Sequence, residues 1–304
     1  MTYAASLSGA FVYEDTRDTQ PLALTAVPWP PTPRWLTSAS YAVTSALWDT
    51  SPRAARTVSL AWHLANGLLL GLLARRVLPA TGAVVAVGVF LLVPIQTEAV
   101  AAVAYRSELV AATWLLLALL CVSRGWVVAA WVCAVVTVTG KEAGLIALAL
   151  VPCWAWWMGP RWSRRQALGW ALASLVPLWQ LVAWFQVHSV PLFWPVSEMA
   201  IAAATAGRLV GLAVLSLVQP GVLTIDHDWG HLTPAMGFGT LGCWALLIAF
   251  ASGVGRLALV WIGVALSLRV VLTLPELHEH HVYSALLLPA LAVGAWTTTK
   301  GQFA

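Results

Sequence analysis

The chain alternates apolar runs with short polar connectors. The runs lie at roughly 57–74, 82–95, 109–123, 126–139, 143–158, 167–187, 239–254, 257–274 and 282–297. Each is read as a helix. Several are shorter than the roughly 20 residues a bilayer span needs, so their ends are expected to reach into the connectors. Residues 198–222, rich in Ala, Leu and Val, can be read as a tenth span. A full crossing there would switch the side of the later connectors, so a re-entrant or surface-lying element is expected instead. The pattern predicts an all-α integral membrane protein, a polytopic bundle of about nine to ten transmembrane helices.

The first 56 residues break this pattern. They hold Glu14, Asp15, Asp18, Asp49, four Arg and the run Pro28-Trp29-Pro30-Pro31-Thr32-Pro33, which regular helix cannot accommodate. They are expected to form an extramembrane segment with one amphipathic helix near Thr37–Trp48, lying on the bilayer surface. The division is therefore 1–56, extramembrane, and 57–304, transmembrane helical domain.

Charge adds an orientation. Arg75-Arg76, Arg124, Arg161, Arg164-Arg165, Arg256 and Lys300 fall in alternate connectors, without acids beside them. The other connectors hold Glu98, Arg106, Glu108, Lys141, Glu142, Asp226, Asp228, Glu276, Glu279 and a His cluster. The excess of basic residues marks the cytoplasmic side. The acid- and His-bearing loops are then extracytoplasmic, and a site is expected there.

Composition supports the membrane reading. Of 304 residues, 60% are hydrophobic and 9% charged, and the mean hydropathy is +0.82. That is not the make-up of a soluble globular domain. The 19 Trp suit a chain with two membrane interfaces to anchor. The pI near 9.1 reflects scattered Arg. No basic run is long enough for nucleic acid, so none is expected as a partner. Cys121, Cys133, Cys153 and Cys243 all lie in apolar runs and show neither metal spacing nor a disulfide framework. The first ten residues lack the apolar core of a cleavable signal peptide.

Ionisable residues near membrane depth are costly and therefore mark candidate sites. Four groups qualify. Tyr13-Glu14-Asp15 with Asp18 offers adjacent carboxylates, able to hold a divalent cation or to act as a general base; a solvated acidic turn is the plain alternative. Pro94 to Val100 followed by Tyr105-Arg106-Ser107-Glu108 sets two acids, Glu98 and Glu108, around an Arg suited to gripping phosphate. A structural Arg–Glu pair capping two helices explains the same residues. Gly140-Lys141-Glu142 is either a second cationic contact or a self-neutralising pair. Asp226-His227-Asp228 with His231, and Glu276 to His281, mix metal-ligating types, but the spacing matches no zinc signature and a metal-free polar loop is the favoured reading.

Taken in order, these segments resemble the integral-membrane glycosyltransferases of the GT-C superfamily. The resemblance is nearest to the transmembrane O-mannosyltransferase-like family that often carries tetratricopeptide repeats. Phe11-Val12-Tyr13-Glu14-Asp15 resembles that family's Phe-Val-x-Asp-Asp. Arg34-Trp35-Leu36-Thr37-Ser38 with Tyr41 resembles Arg-Pro-Leu-Thr. His63-Leu64-Ala65-Asn66 sits where the family has its first core helix. Pro94 to Val100 resembles His-Pro-x-His-Thr-Glu-Ala-Val, with Val93 and Gln96 in place of the two His. Arg106-Ser107-Glu108 resembles Gly-Arg-Ala-Glu/Asp, and Gly140-Lys141-Glu142 resembles Cys-Lys-Glu. Pro220, Leu223, Thr224 and Asp226 resemble Pro-x-x-Leu-Ser-x-Asp. Glu279 to Tyr283 resembles Glu-Arg-Tyr-Leu-Tyr, with His280 for Arg.

The resemblance implies a GT-C-like fold that moves a mannose-like sugar from a polyprenyl-phosphate donor to an extracytoplasmic acceptor. It implies Asp15, with Glu14, as catalytic base, and a divalent cation is one group that pair could hold. It implies Arg106 and Lys141 as phosphate contacts, with Glu98, Glu108, Glu142, Asp226 and Glu279 shaping the substrate site. Expected partners are the lipid-linked sugar, membrane lipids and other membrane proteins. The family's bacterial members place the chain in a bacterial inner membrane. Family members also have a helix before the acidic motif and repeats after the bundle. Either one more helix precedes Phe11, or the chain is a degenerate relative serving as an accessory subunit of a larger membrane complex. A transporter would show inverted repeats, and no internal symmetry is visible.

Overall fold

A computed structural model describes residues 34–48, 51–93, 96–158 and 162–187, together with 207, 239, 241–246, 249, 256, 258–261, 283 and 287–300. Among the described residues all regular structure is helical. The chain divides into two compact units, Met1–Leu73 with Ala99–Val190, and Ala74–Glu98 with Pro191–Ala304. The acidic motif at Glu14-Asp15, the Pro-rich run and residues 222–238 and 262–282 lie outside the described residues. So does 198–222 apart from residue 207.

The first unit is built on a central helix. Helix α1 (Trp35–Leu47) is followed by α2 (Pro52–Ala74). The start of α2 is set by Ser51, whose hydroxyl accepts from the Ala54 N–H at 3.2 Å, and by Pro52 at the first helical position, where a missing N–H costs nothing. The helix thus begins five residues before the apolar run expected at 57. The helix Ala80–Leu92 belongs to the second unit and is taken up below. After a short helix at Thr97–Ala101 and a 3-10 turn at Val103–Tyr105, the chain enters the helix Arg106–Ser123. That helix is the core of the unit. Leu109, Leu115, Leu116, Leu119 and Val122 are all fully buried or nearly so.

Numbered in chain order, α3 is Ala80–Leu92, α4 is Thr97–Ala101 and α5 is Arg106–Ser123. The C-terminus of α5 closes on a glycine. Gly125, at φ 78°, adopts the left-handed conformation. The N–H of Trp126 donates to the Cys121 carbonyl at 3.0 Å, and that of Gly125 to Val122 at 2.9 Å. This paired closure satisfies two of the last carbonyls and turns the chain back into α6 (Val127–Gly140). Helices α5 and α6 form an antiparallel hairpin and make the most extensive packing among the described helices. They approach closely at Gly140, where a Cβ would stand 3.3 Å from the Ala111 backbone.

A 3-10 turn, Glu142–Ile146, leads into α7 (Ala147–Met158), and then α8 (Arg164–Val187) follows. Gly144 is required in the turn, because a Cβ there would overlap the Thr137 carbonyl. Trp154 Nε1 donates to Ser123 Oγ at 2.9 Å, and Trp170 Nε1 to the Leu148 carbonyl at 2.8 Å, tying α7 to α5 and α8 to α7.

In the second unit, α3 stops at Leu92 because Val93 precedes a proline and is extended, at φ −62° and ψ 123°. It packs against α9 (Leu287–Lys300). Gly294 lies so close to α3 that a Cβ would meet the Gly82 carbonyl. Phe90 stacks edge-on against Tyr283, with ring centres 5.5 Å apart.

Among the described residues two stretches, Pro52–Ala74 and Val103–Ser123, are long and apolar enough to cross a membrane. The second, at 21 residues, rises about 31 Å, the thickness of a hydrocarbon core. Other apolar helices, Ala80–Leu92 and Val127–Gly140 among them, are shorter than a span. Pro94 ends the first and the turn at Lys141 ends the second. Against the sequence expectation of about nine to ten spans, these two are the ones of spanning length among the described residues.

Candidate functional site

The first turn of α5 carries Arg106, Ser107 and Glu108, and all three are buried. Three separate elements converge on them. From α1 come Ser40, Tyr41 and Thr44; from α2 come Ala55 and Ser59; from the end of α6 comes Lys141.

Arg106 is completely buried, so each of its N–H groups needs a partner. Its Nη2 donates to the Ala55 carbonyl at 2.8 Å. Its Nη1 donates to Thr44 Oγ1 at 3.0 Å and to the Ser40 carbonyl at 3.3 Å. Its Nε lies 3.4 Å from Ser59 Oγ. The guanidinium also sits over the Tyr41 ring, 4.4 Å from its centre, a contact that strengthens when desolvated. These partners are neutral. One side chain therefore fastens α1 and α2 to the start of α5.

Lys141 and Glu108 form a buried ion pair, Nζ to Oε1 at 2.5 Å, with about one-twentieth or less of either side chain exposed. Its placement follows from the hairpin. Because α5 and α6 are antiparallel, the N-terminus of one lies beside the C-terminus of the other. A carboxylate in the first turn of α5 and an ammonium at the C-cap of α6 each complement a helix dipole as well as each other. Thr37 Oγ1, from α1, donates to the Gly140 carbonyl at 2.7 Å beside the pair. Tyr41 Oη donates to the Val103 carbonyl at 2.5 Å, and Arg56 Nε to Ala101 at 2.9 Å. One turn further along, Asn66 Nδ2 donates to the Leu109 carbonyl at 2.9 Å, and Thr113 Oγ1 donates to Asn66 Oδ1. His63, on the same helix as Asn66, is fully buried.

Of the residues singled out in the sequence, Arg106, Glu108 and Lys141 are brought together. Glu98 is buried in α4, within the second unit. Glu142 opens the 3-10 turn after Lys141. Glu14, Asp15, Asp226 and Glu279 lie outside the described residues, and so does the acidic pair's fitness to hold a cation. Among the described residues no cluster of three or more His, Cys, Asp or Glu could hold a metal ion. The cysteines are free thiols.

Two cations for which the sequence left a local pairing open make long-range contacts. Lys141 is joined to Glu108, 33 positions away. Arg106 is held by hydroxyls, carbonyls and a ring, with no carboxylate partner among the described residues. The residues that sequence reasoning missed are Ser40, Thr44 and Ser59. The signal for Ser40 and Thr44 was a polar stripe at helical spacing, Thr37, Ser40/Tyr41 and Thr44, inside a segment read as surface-lying; Ser59 stood as a lone hydroxyl in an apolar run.

Chemically, the cluster is a buried, preorganised cationic centre. In the cluster itself Arg106 and Lys141 face one carboxylate, Glu108; elsewhere among the described residues Arg56 and Glu98 are buried as well. Such an arrangement favours an anionic group nearby. No protein-family model matches this chain, and no curated protein or solved structure matches it either.

Proposed function

We propose that the chain is a polytopic GT-C-like membrane glycosyltransferase that moves a mannose-like sugar from a polyprenyl-phosphate donor to an extracytoplasmic acceptor. It sits in a bacterial inner membrane with the acid-bearing loops outside. The reading is carried by one observation. Segments that resemble separate motifs of that family, Arg34 to Tyr41, Arg106-Ser107-Glu108 and Gly140-Lys141, meet in one buried cluster although up to 103 residues apart. Lys141 is matched by Glu108 while the hydrogen-bond partners of Arg106 among the described residues are neutral, and that one unmatched cation suits a phosphate-bearing substrate.

The resemblance supplies the role of the acidic pair, and burial that of the two cations. Asp15, with Glu14, is the general base that takes the acceptor's hydroxyl proton. Arg106 and Lys141 are positioning residues, because their hydrogen bonds are directed into the protein. They set the positive field and fix α1 and α5. The leaving group is already a phosphate, so no nucleotide-binding fold is needed. Glu98, Glu142, Asp226 and Glu279 remain proposed substrate-site residues.

The test is the purified full chain with a polyprenyl-phosphate-linked mannose in mild detergent, assayed for release of polyprenyl phosphate. Asp15→Ala should lower turnover by a factor of about 100 or more, the range for loss of a general base. Unchanged turnover in that variant would remove the catalytic assignment.

One observation favours a second reading, an accessory subunit without catalysis: the burial and full engagement of both cations. Native mass spectrometry separates the two. A co-purified polyprenyl phosphate supports the enzyme, and a fixed protein complex without that lipid supports the subunit.

A further inference from the structure

Helix α8 carries a feature that the glycosyltransferase reading does not use. Its start is fixed by a reciprocal capping box: the Ser163 N–H donates to Gln166 Oε1 at 2.9 Å, and the Gln166 N–H donates to Ser163 Oγ at 3.2 Å. Arg164 and Arg165 therefore occupy the first turn, both exposed, with no acidic residue beside them there. Two cations at this end oppose the helix dipole, and an anion held between them offsets that opposition.

The rest of the face is apolar. At about 100° per residue, Leu168, Leu172, Leu175, Val176 and Trp179 fall within an arc of about 100°; Arg165 heads that arc and Arg164 stands about 20° beyond its edge. All five are exposed, from 56% at Val176 to 71% at Trp179. The opposite face holds Trp170, Ser174 and Pro177, which are buried. The helix thus docks by a narrow edge and leaves uncovered a stripe with a cationic head. From Leu168 to Trp179 the rise is about 16 Å, close to half of a hydrocarbon core of about 30 Å, the depth of one leaflet.

We infer that this face binds one anionic phospholipid, its phosphate between Arg164 and Arg165 and an acyl chain along Leu168, Leu172, Leu175 and Trp179. Charge complementarity selects the headgroup, since two cations with no acid in that turn favour a lipid of net negative charge over a zwitterionic one. The inference rests on the membrane-embedded part of the reading above and not on sugar transfer.

The test is native mass spectrometry of the full chain in neutral detergent. Phosphatidylglycerol and phosphatidylcholine with the same acyl chains are added in equal amounts. The wild type should retain phosphatidylglycerol preferentially, by roughly five-fold per arginine and about thirty-fold for the pair at low salt. The preference should fall as salt rises. R164Q/R165Q should abolish it, R164K/R165K should keep most of it, and R124Q, on another connector, should leave it intact. If the double variant does not accumulate, R164Q and R165Q singly give the same readout at about five-fold each.

Equal retention of the two lipids, or an undiminished preference in R164Q/R165Q, overturns the inference. So does displacement by inorganic phosphate at matched concentration, which would mark a free-phosphate site, or a protein subunit found on this face instead of lipid. Alkaline extraction keeps the readings apart. A chain washed off the membrane refutes membrane insertion itself, whereas an inserted chain with no lipid preference refutes the lipid site alone.

Discussion

Removing Lys141 should be far more damaging than its small share of the surface suggests. Nζ stands 2.5 Å from Glu108 Oε1, and both side chains are almost wholly enclosed. With charge centres about 4 Å apart and an effective dielectric near 20, the attraction is of order 4 kcal/mol. Lys141→Met deletes it and leaves Glu108 buried as a lone carboxylate. Loss of one member of such a pair costs about 3–5 kcal/mol. The α5 dipole recovers only about 0.3–1 kcal/mol of that for Glu108 in its first turn. Glu108→Leu should cost a similar amount by stranding the ammonium at the end of α6. The double variant Glu108→Leu/Lys141→Met removes both charges and both desolvation costs, and should lie within about 1 kcal/mol of wild type. Equilibrium unfolding in mixed detergent, followed by the fluorescence of the 19 Trp, measures all four corners of the cycle. A coupling energy of at least about 3 kcal/mol is expected between these contacting residues. A value below about 0.5 kcal/mol, the scatter of independent sites, would mean that the pair is solvated and does not hold the α5–α6 hairpin.

Arg106→Met should destabilise the first unit by about 3 kcal/mol or more, since it strands the hydroxyl and carbonyl oxygens of Ser40, Thr44, Ala55 and Ser59. Limited proteolysis should show α1 released first, and Arg106→Lys should restore only part of the protection because an ammonium lacks the planar fork. Gly294→Ala should cost about 1–3 kcal/mol by forcing α9 off the Gly82 carbonyl. Gly88→Ala, where a Cβ meets nothing within 4 Å, should be neutral or slightly stabilising, through its gain of up to about 1 kcal/mol in helix propensity. Thermal unfolding compares the two glycine variants directly.

Much of the helical layout could be read from the chain. Apolar runs near 109–123 and 126–139 became α5 and α6 with ends shifted by a few residues, because Gly125 and the Gly140-Lys141 step are local signals. The start of α2 was missed by five residues. There Arg53 and Arg56 looked like connector, yet Ser51 and Pro52 were already a helix start, and Arg56 is buried on the Ala101 carbonyl. The helix at Trp35–Leu47 was expected, but as a surface-lying element. It is packed on α5 and α6 through Thr37, Tyr41, Ala42 and Thr44, because its small polar residues can satisfy Arg106 where a purely apolar face could not.

What the sequence determined by itself is the helical class, the places where helices stop, and which ionisable residues lie too deep to be incidental. These follow from local rules: periodicity, proline and glycine geometry, and the cost of charge in an apolar run. What only tertiary structure decided is who partners whom. Lys141 is extended at the C-cap of α6, at φ −157° and ψ 144°, and its sequence neighbours do not reveal the buried carboxylate that it meets. The antiparallel turn at Gly125 carries Glu108 back to Lys141 across 33 positions. Arg106 likewise finds its acceptors on α1 and α2, up to 66 positions away. Burial made those pairings obligatory, since a charge out of water must find a partner wherever the fold brings one.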